Sequence, residues 1–74
     1  MKVVHETKDV LPKQNLTIYS YVVELADDLY VATVVNDKDD DRVDVSFTGY
    51  TQKAVVDKCK SLVSWAKNHY AWEN

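Results

Sequence analysis

The sequence predicts an α+β domain in the order β-β-β-α. A three-stranded antiparallel sheet, with room for a fourth short strand at the start, carries one long C-terminal helix on one face. Three observations predict it. Residues 16–49 are dense in β-branched and aromatic residues, broken only by short acidic clusters. Residues 43–48 alternate strictly between apolar and polar. Residues 52–72 instead place their apolar side chains at helical spacing. A chain of 74 residues has room for one domain and one small core.

The elements follow in order. Residues 1–13 form an N-terminal segment or short strand, set off by Pro12, the one proline. The adjacent Val3 and Val4 fit neither period cleanly. "LTIYSYVVEL", Leu16 to Leu25, has no breaker and reads as a strand. "LYVATVVN", Leu29 to Asn36, reads as its partner, joined by a tight turn at Asp27-Asp28. "RVDVSFTGY" supplies the third strand, with Gly49 at its end. Thr51 is a natural N-cap. From Gln52 to about Trp72 the helix divides into an apolar side, including Val55, Cys59, Leu62, Val63, Trp65 and Ala66, and a polar side, including Lys53, Asp57, Lys60 and Lys67.

A flush two-residue hairpin has a consequence for the faces. Leu25 would oppose Tyr30, Val23 would oppose Ala32, and Tyr21 would oppose Val34, all on one face with Tyr19. A four-residue loop, Asp37 to Asp40, would add Val43, Val45 and Phe47 to that face, giving the helix a wholly apolar bed. Ile18, Val22, Val31 and Val35 are then left on the far face. Leaving them in water forgoes a few kcal/mol at ~25 cal/mol per Å². Either the N-terminal segment, through Val3, Val4 and Val10, covers them, or they bind a protein partner or a second copy of the chain.

Composition narrows the function. The lone Cys59 rules out an internal disulfide, and with only His5 and His69 beside it a structural zinc site is not expected. No segment is long and apolar enough to span a bilayer. "MKVVHETKDV" lacks the apolar run of a signal peptide. The expected compartment is therefore the cytoplasm. The net charge is −3, with ten acids and five bases in residues 1–50 against two acids and four lysines in residues 51–74. That balance does not suit a general nucleic-acid binder.

The most unusual stretch is "NDKDDDR", Asn36 to Arg42. Asp37, Asp39 and Asp41 have the one-three-five spacing of a calcium loop. The sixth position is Arg42 instead of glycine and the twelfth is Thr48 instead of glutamate, so the stretch reads as a solvated hairpin tip and no metal is expected. With Asp40 and Asp44, and with Asp27 and Asp28 at the opposite end, these residues make an acidic sheet rim suited to a basic protein surface.

Other candidates are weaker. Lys53, Lys60 and Lys67 recur every seven residues and offer an alternative, phosphate-following stripe. Tyr19, Tyr21 and Tyr30 would stack bases only if exposed. Trp65, His69 and Trp72 form an i, i+4, i+7 row that fits an interface anchor or a core cap. Cys59 lies mid-face among apolar residues, as an inert core thiol does. No catalytic constellation and no cofactor motif is legible.

Three strands followed by "FTGYTQKAVVDKCKSLVSWAK" resemble two known modules in topology over about residues 16–68. One is the arm-type DNA-binding domain of integrases. The other is the last two-thirds of a double-stranded-RNA-binding domain, where a lysine-bearing helix follows the third strand. Here the strands carry aspartates where basic residues would stand, and the basic cluster at the helix start is reduced to Lys53. The resemblance with its charge inverted implies a small DNA-mimicking inhibitor. The expected function is thus an acidic protein-binding regulator or inhibitor, not an enzyme. Nucleic-acid binding and a role as accessory subunit are the alternatives.

Overall fold

The computed structural model describes residues 1–38 and 41–71. Strands β1 (Lys2–Leu11), β2 (Leu16–Ala26), β3 (Leu29–Lys38) and β4 (Asp41–Gly49) form one antiparallel sheet in the order β1-β2-β3-β4. Helix α1 (Gln52–Ala71) packs across it. The α+β architecture is the expected one, and the sheet has the fourth strand. Trp72, assigned to the helix from the sequence, lies outside the described residues.

Local chemistry sets the connections. Pro12 opens a single 3₁₀ turn, Pro12–Gln14, and Asn15 closes it in the left-handed region at φ 50°, its N–H donating to Pro12 O at 3.2 Å. Asparagine tolerates that conformation better than most residues. Asp28 holds the same region at φ 57° in the β2–β3 turn. Thr51 caps α1: its Oγ1 accepts from the Ala54 N–H at 3.4 Å.

The faces differ from the expected ones in one strand. The β2–β3 turn falls at Asp27-Asp28, but the register shifts between Glu24 and Ala26, leaving Leu25 as an extra residue. Val22 therefore opposes Ala32, Ser20 opposes Val34 and Tyr19 opposes Val35. One bulge exchanges the two sides of β2. Ile18 and Val22, expected on the far face, are fully buried beneath the helix. Tyr19, Tyr21 and Val23, expected under the helix, lie on the far face.

Strand β4 keeps its expected side: Val45 opposes Val34 and Phe47 opposes Ala32. The pairing is two residues longer than expected and runs to Lys38↔Asp41, which shortens the connection to residues 39–40.

The core comprises Leu16, Ile18, Val22, Ala32 and Val34 from the sheet and Val55, Cys59, Val63 and Ala66 from the helix. Each fully buried Leu, Ile or Val contributes roughly 1.5–3 kcal/mol. Ala32 and Ser20 are small, and each is almost wholly inaccessible. They let the helix approach closely where tyrosines would hold it off. Ser20 is the buried polar residue of this core, and its hydroxyl bonds Thr7 Oγ1.

Helix α1 packs chiefly on β2 and β3 and only lightly on β4 and β1. It starts beside Gly49 and reaches β1 at its other end, where Lys67 Nζ meets Asp9 Oδ1 at 3.3 Å. This diagonal leaves Val43 and Val45 on the helix side of the sheet yet 51% and 44% exposed.

Candidate functional site

The N-terminal segment does not cover the far face. It is strand β1 of the same sheet, beside β2. The far face therefore stands uncovered by any described element, and the candidate site lies there.

Three cross-strand rows build it. Lys8, Tyr19, Val35 and Asp44 form one row; Glu6, Tyr21, Thr33 and Ser46 form the next; Val10, Thr17, Asp37 and Arg42 lie beyond the first. Around Val35 these rows enclose an open groove of about 590 Å³, lined by Glu6, Lys8, Tyr19, Tyr21, Asp37 and Arg42 among others. Val35 is its buried floor, only 5% exposed, while Tyr19 and Tyr21 stand 37% and 40% exposed on one strand. An apolar ring body with a wet hydroxyl suits that position.

The charges around the tyrosines alternate. Lys8 Nζ sits 5.7 Å from the Tyr19 ring centroid, within cation–π range. Arg42 Nε donates to Asp44 Oδ1 at 3.0 Å. That bond, and then the Asp44 charge, pushes the Arg42 guanidinium above its ordinary value. Thr33 and Ser46 hydroxyls lie 3.2 Å apart in the neighbouring row. Across the groove the described charges are Glu6, Asp37 and Asp44 against Lys8 and Arg42.

The residues expected to bind scatter. Val31 and Val35 lie on the far face with the tyrosines. Ile18 and Val22 are core residues and present no surface, because the Leu25 bulge turned them inward. Asp37 and Asp44 flank the groove. Asp41 opens β4. Asp39 and Asp40 lie outside the described residues. Asp27 and Asp28 sit at the far end of the sheet, in the β2–β3 turn.

The lysine stripe is partly neutralised. Lys53 Nζ meets Asp57 Oδ2 at 2.6 Å, Lys67 pairs with Asp9, and Lys60 lines a smaller recess with His5, Thr7 and Ser64. Trp65 stacks on His69 with ring centroids 4.9 Å apart and planes 8° from parallel. Cys59 is buried and free. Among the described residues no group of three His, Cys, Asp or Glu is placed to hold a metal, and no helix is long and apolar enough to cross a membrane.

Lys8, Glu6 and Arg42 were not singled out from the sequence. The signal was the alternation of Tyr19 and Tyr21 with Ser20 and Val22. It points outward once the smaller set is taken as the helix bed. No family model, no curated protein and no solved structure matches this chain.

Proposed function

We propose that this chain is a protein-binding module, acting as a small regulator or inhibitor, that engages a basic partner through the uncovered face of its sheet. The observation that carries this reading is the half-exposed pair Tyr19 and Tyr21 on an inner strand, standing over the Val35 groove. Tyrosine and arginine, with tryptophan, are the residues enriched at binding hot spots. A groove with an apolar floor and alternating charges offers both burial and orientation.

Asp37 and Asp44 at the groove edge, with the acidic β3–β4 end, supply the long-range attraction. Charge of this kind raises the association rate and falls off with salt. Association with a basic partner is therefore expected to weaken as salt rises, while the tyrosine contacts hold the complex once formed.

The test is affinity capture from cell extract, followed by binding measurements on the purified partner. Wild-type protein is expected to retain a basic partner. The Tyr19→Ala/Tyr21→Ala variant is expected to lose at least tenfold in affinity, and Lys60→Ala to lose nothing. Equal affinity in the tyrosine variant sinks the reading.

The exposed tyrosines also favour a second reading, in which single-stranded nucleic acid stacks on Tyr19 and Tyr21 beside Lys8 and Arg42. Glu6, Asp37 and Asp44 oppose phosphate there, so it ranks second. Fluorescence anisotropy of labelled oligonucleotides at low salt separates the two.

A further inference from the structure

We propose that this chain pairs with a second copy of itself along β4, edge to edge and antiparallel about Val45, so that the two sheets become continuous. The proposal rests on β4 and the helix flank above it, and not on the tyrosine groove.

The sheet has two edges, β1 and β4, and they are built differently. Exposed edges invite pairing unless bulges or inward-pointing charges prevent it. Strand β1 has both devices. Its register shifts between Val3 and His5, and Asp9, opposite the core residue Ile18, points to the helix side and pairs with Lys67. Strand β4 has neither from Arg42 to Gly49: its pairing with β3 is regular, and its helix-side residues are Val43, Val45 and Phe47. Within that stretch the charges are Arg42 and Asp44, and both lie on the far face.

The β4 sequence complements itself. With Val45 opposite the second copy's Val45, Val43 meets Phe47 on the helix side, while Asp44 meets Ser46 and Arg42 meets Thr48 on the other. No like charges are directly opposed, which matters because opposed like charges destabilise a strand pair. Centring the pair on Asp44 instead would set two aspartates face to face. The Val45 register also keeps both helices on one side of the joined sheet.

The helix flank on this side of the sheet carries an exposed aromatic residue. Lys58 Nζ lies 4.6 Å from the Phe47 ring centroid, so this side of α1 faces β4. At about 100° per residue, Leu62, Trp65 and His69 fall within roughly 40° of Lys58 on the wheel. Trp65 is 61% exposed there. Trp65 thus stands on the side of α1 turned toward β4, and a second copy entering along β4 brings its own Phe47 against Val43.

The test uses analytical ultracentrifugation and a register-specific cross-link. At roughly 100 µM, enough to populate a dimer with a Kd of about 10 µM, wild-type protein is expected to sediment at twice its 8.5 kDa chain mass. Val45→Lys is expected to be monomeric with an unchanged circular dichroism spectrum, since position 45 is half exposed. Directly opposed residues lie about 4.5–5.5 Å apart by Cα, within disulfide reach. Val45→Cys is therefore expected to form a disulfide-linked dimer on mild oxidation, with Cys59 buried and out of play. Val43→Cys, four residues from its own mate, is expected not to. A wild-type monomer at that concentration, a dimer that survives Val45→Lys, or cross-linking through position 43 in place of 45 would each overturn the proposal.

Discussion

Gly49 lies so close to Val55 that a Cβ built on it would stand 2.5 Å from the Val55 Cγ2. The backbone there is not in the left-handed region, so this glycine is required for space and not for its φ. It lets the chain leave β4 and bring the first turn of α1 down onto the sheet. Gly49→Ala is expected to destabilise by about 1–3 kcal/mol, the usual range for overpacking. In a Val55→Ala background the same change is expected to cost much less. Urea denaturation of the four proteins measures the coupling.

Thr7 and Ser20 give a second coupled pair. The Ser20 hydroxyl is buried, and its partner Thr7 is half-buried on β1. Thr7→Val strands the serine hydroxyl without a partner, at an expected cost of about 1–3 kcal/mol. Ser20→Ala is expected to cost less, because Thr7 keeps some access to water. The Thr7→Val/Ser20→Ala double variant is expected to be more stable than the two single costs added together, read by the same denaturation cycle.

The last two elements were legible because each carried its own period. The alternation of Val43, Val45 and Phe47 and the helical spacing of Val55, Cys59, Val63 and Ala66 survive any register. The inside and outside of β2 were not legible. Both of its sides carry apolar residues: Leu16, Ile18 and Val22 on one, Tyr19, Tyr21 and Val23 on the other. Only the hairpin register decides between them, and a bulge at Leu25 leaves no mark in the sequence. The tyrosine groove was hidden for that reason. Strand β1 was obscure for another. As an edge strand it is solvated along much of its length, so Lys8, Glu6 and Val10 share a face with no clean alternation.

The Lys53–Asp57 pair makes part of the helix's stability depend on pH. The Lys53 hydrogen bond, and then its charge, lowers the Asp57 carboxyl below its ordinary 3.8. The same contact raises Lys53 above 10.5. A lowered acid contributes above its unfolded value and loses that contribution as pH falls through the folded one. A raised base contributes below its unfolded value and loses it as pH rises through the folded one. The pair is therefore expected to contribute fully between these limits and to fade outside them. Denaturation at pH 5 and pH 3 checks the acid side: wild type is expected to lose more stability than Asp57→Asn. Both side chains are largely exposed, so added salt is expected to shrink the difference.

The first turn of α1 has a cap but no acidic residue. Ala54 occupies the third helical position and is exposed. Glutamate there can reach back to the Thr51 N–H and also meets the positive end of the helix dipole. Ala54→Glu is expected to stabilise by about 0.5–1 kcal/mol. The rise in thermal midpoint is expected to persist in a Thr51→Ala background, because alanine keeps the backbone N–H that the glutamate meets.

The bulge itself can be tested by removing it. Leu25 is extra: Glu24 already opposes Tyr30 and Ala26 already opposes Leu29. Taking Leu25 out joins those two pairs into a regular ladder and leaves every other residue on its present face. Leu25 is also 48% exposed, so little burial is lost. Deletion inside a strand ordinarily turns its side chains over and destroys the core. Here the Leu25 deletion is expected to keep the fold, with Tyr19 and Tyr21 still open to solvent. Amide spectra of the variant decide it. An unfolded Leu25 deletion would mean that the hairpin pairs flush and that the tyrosines belong beneath the helix.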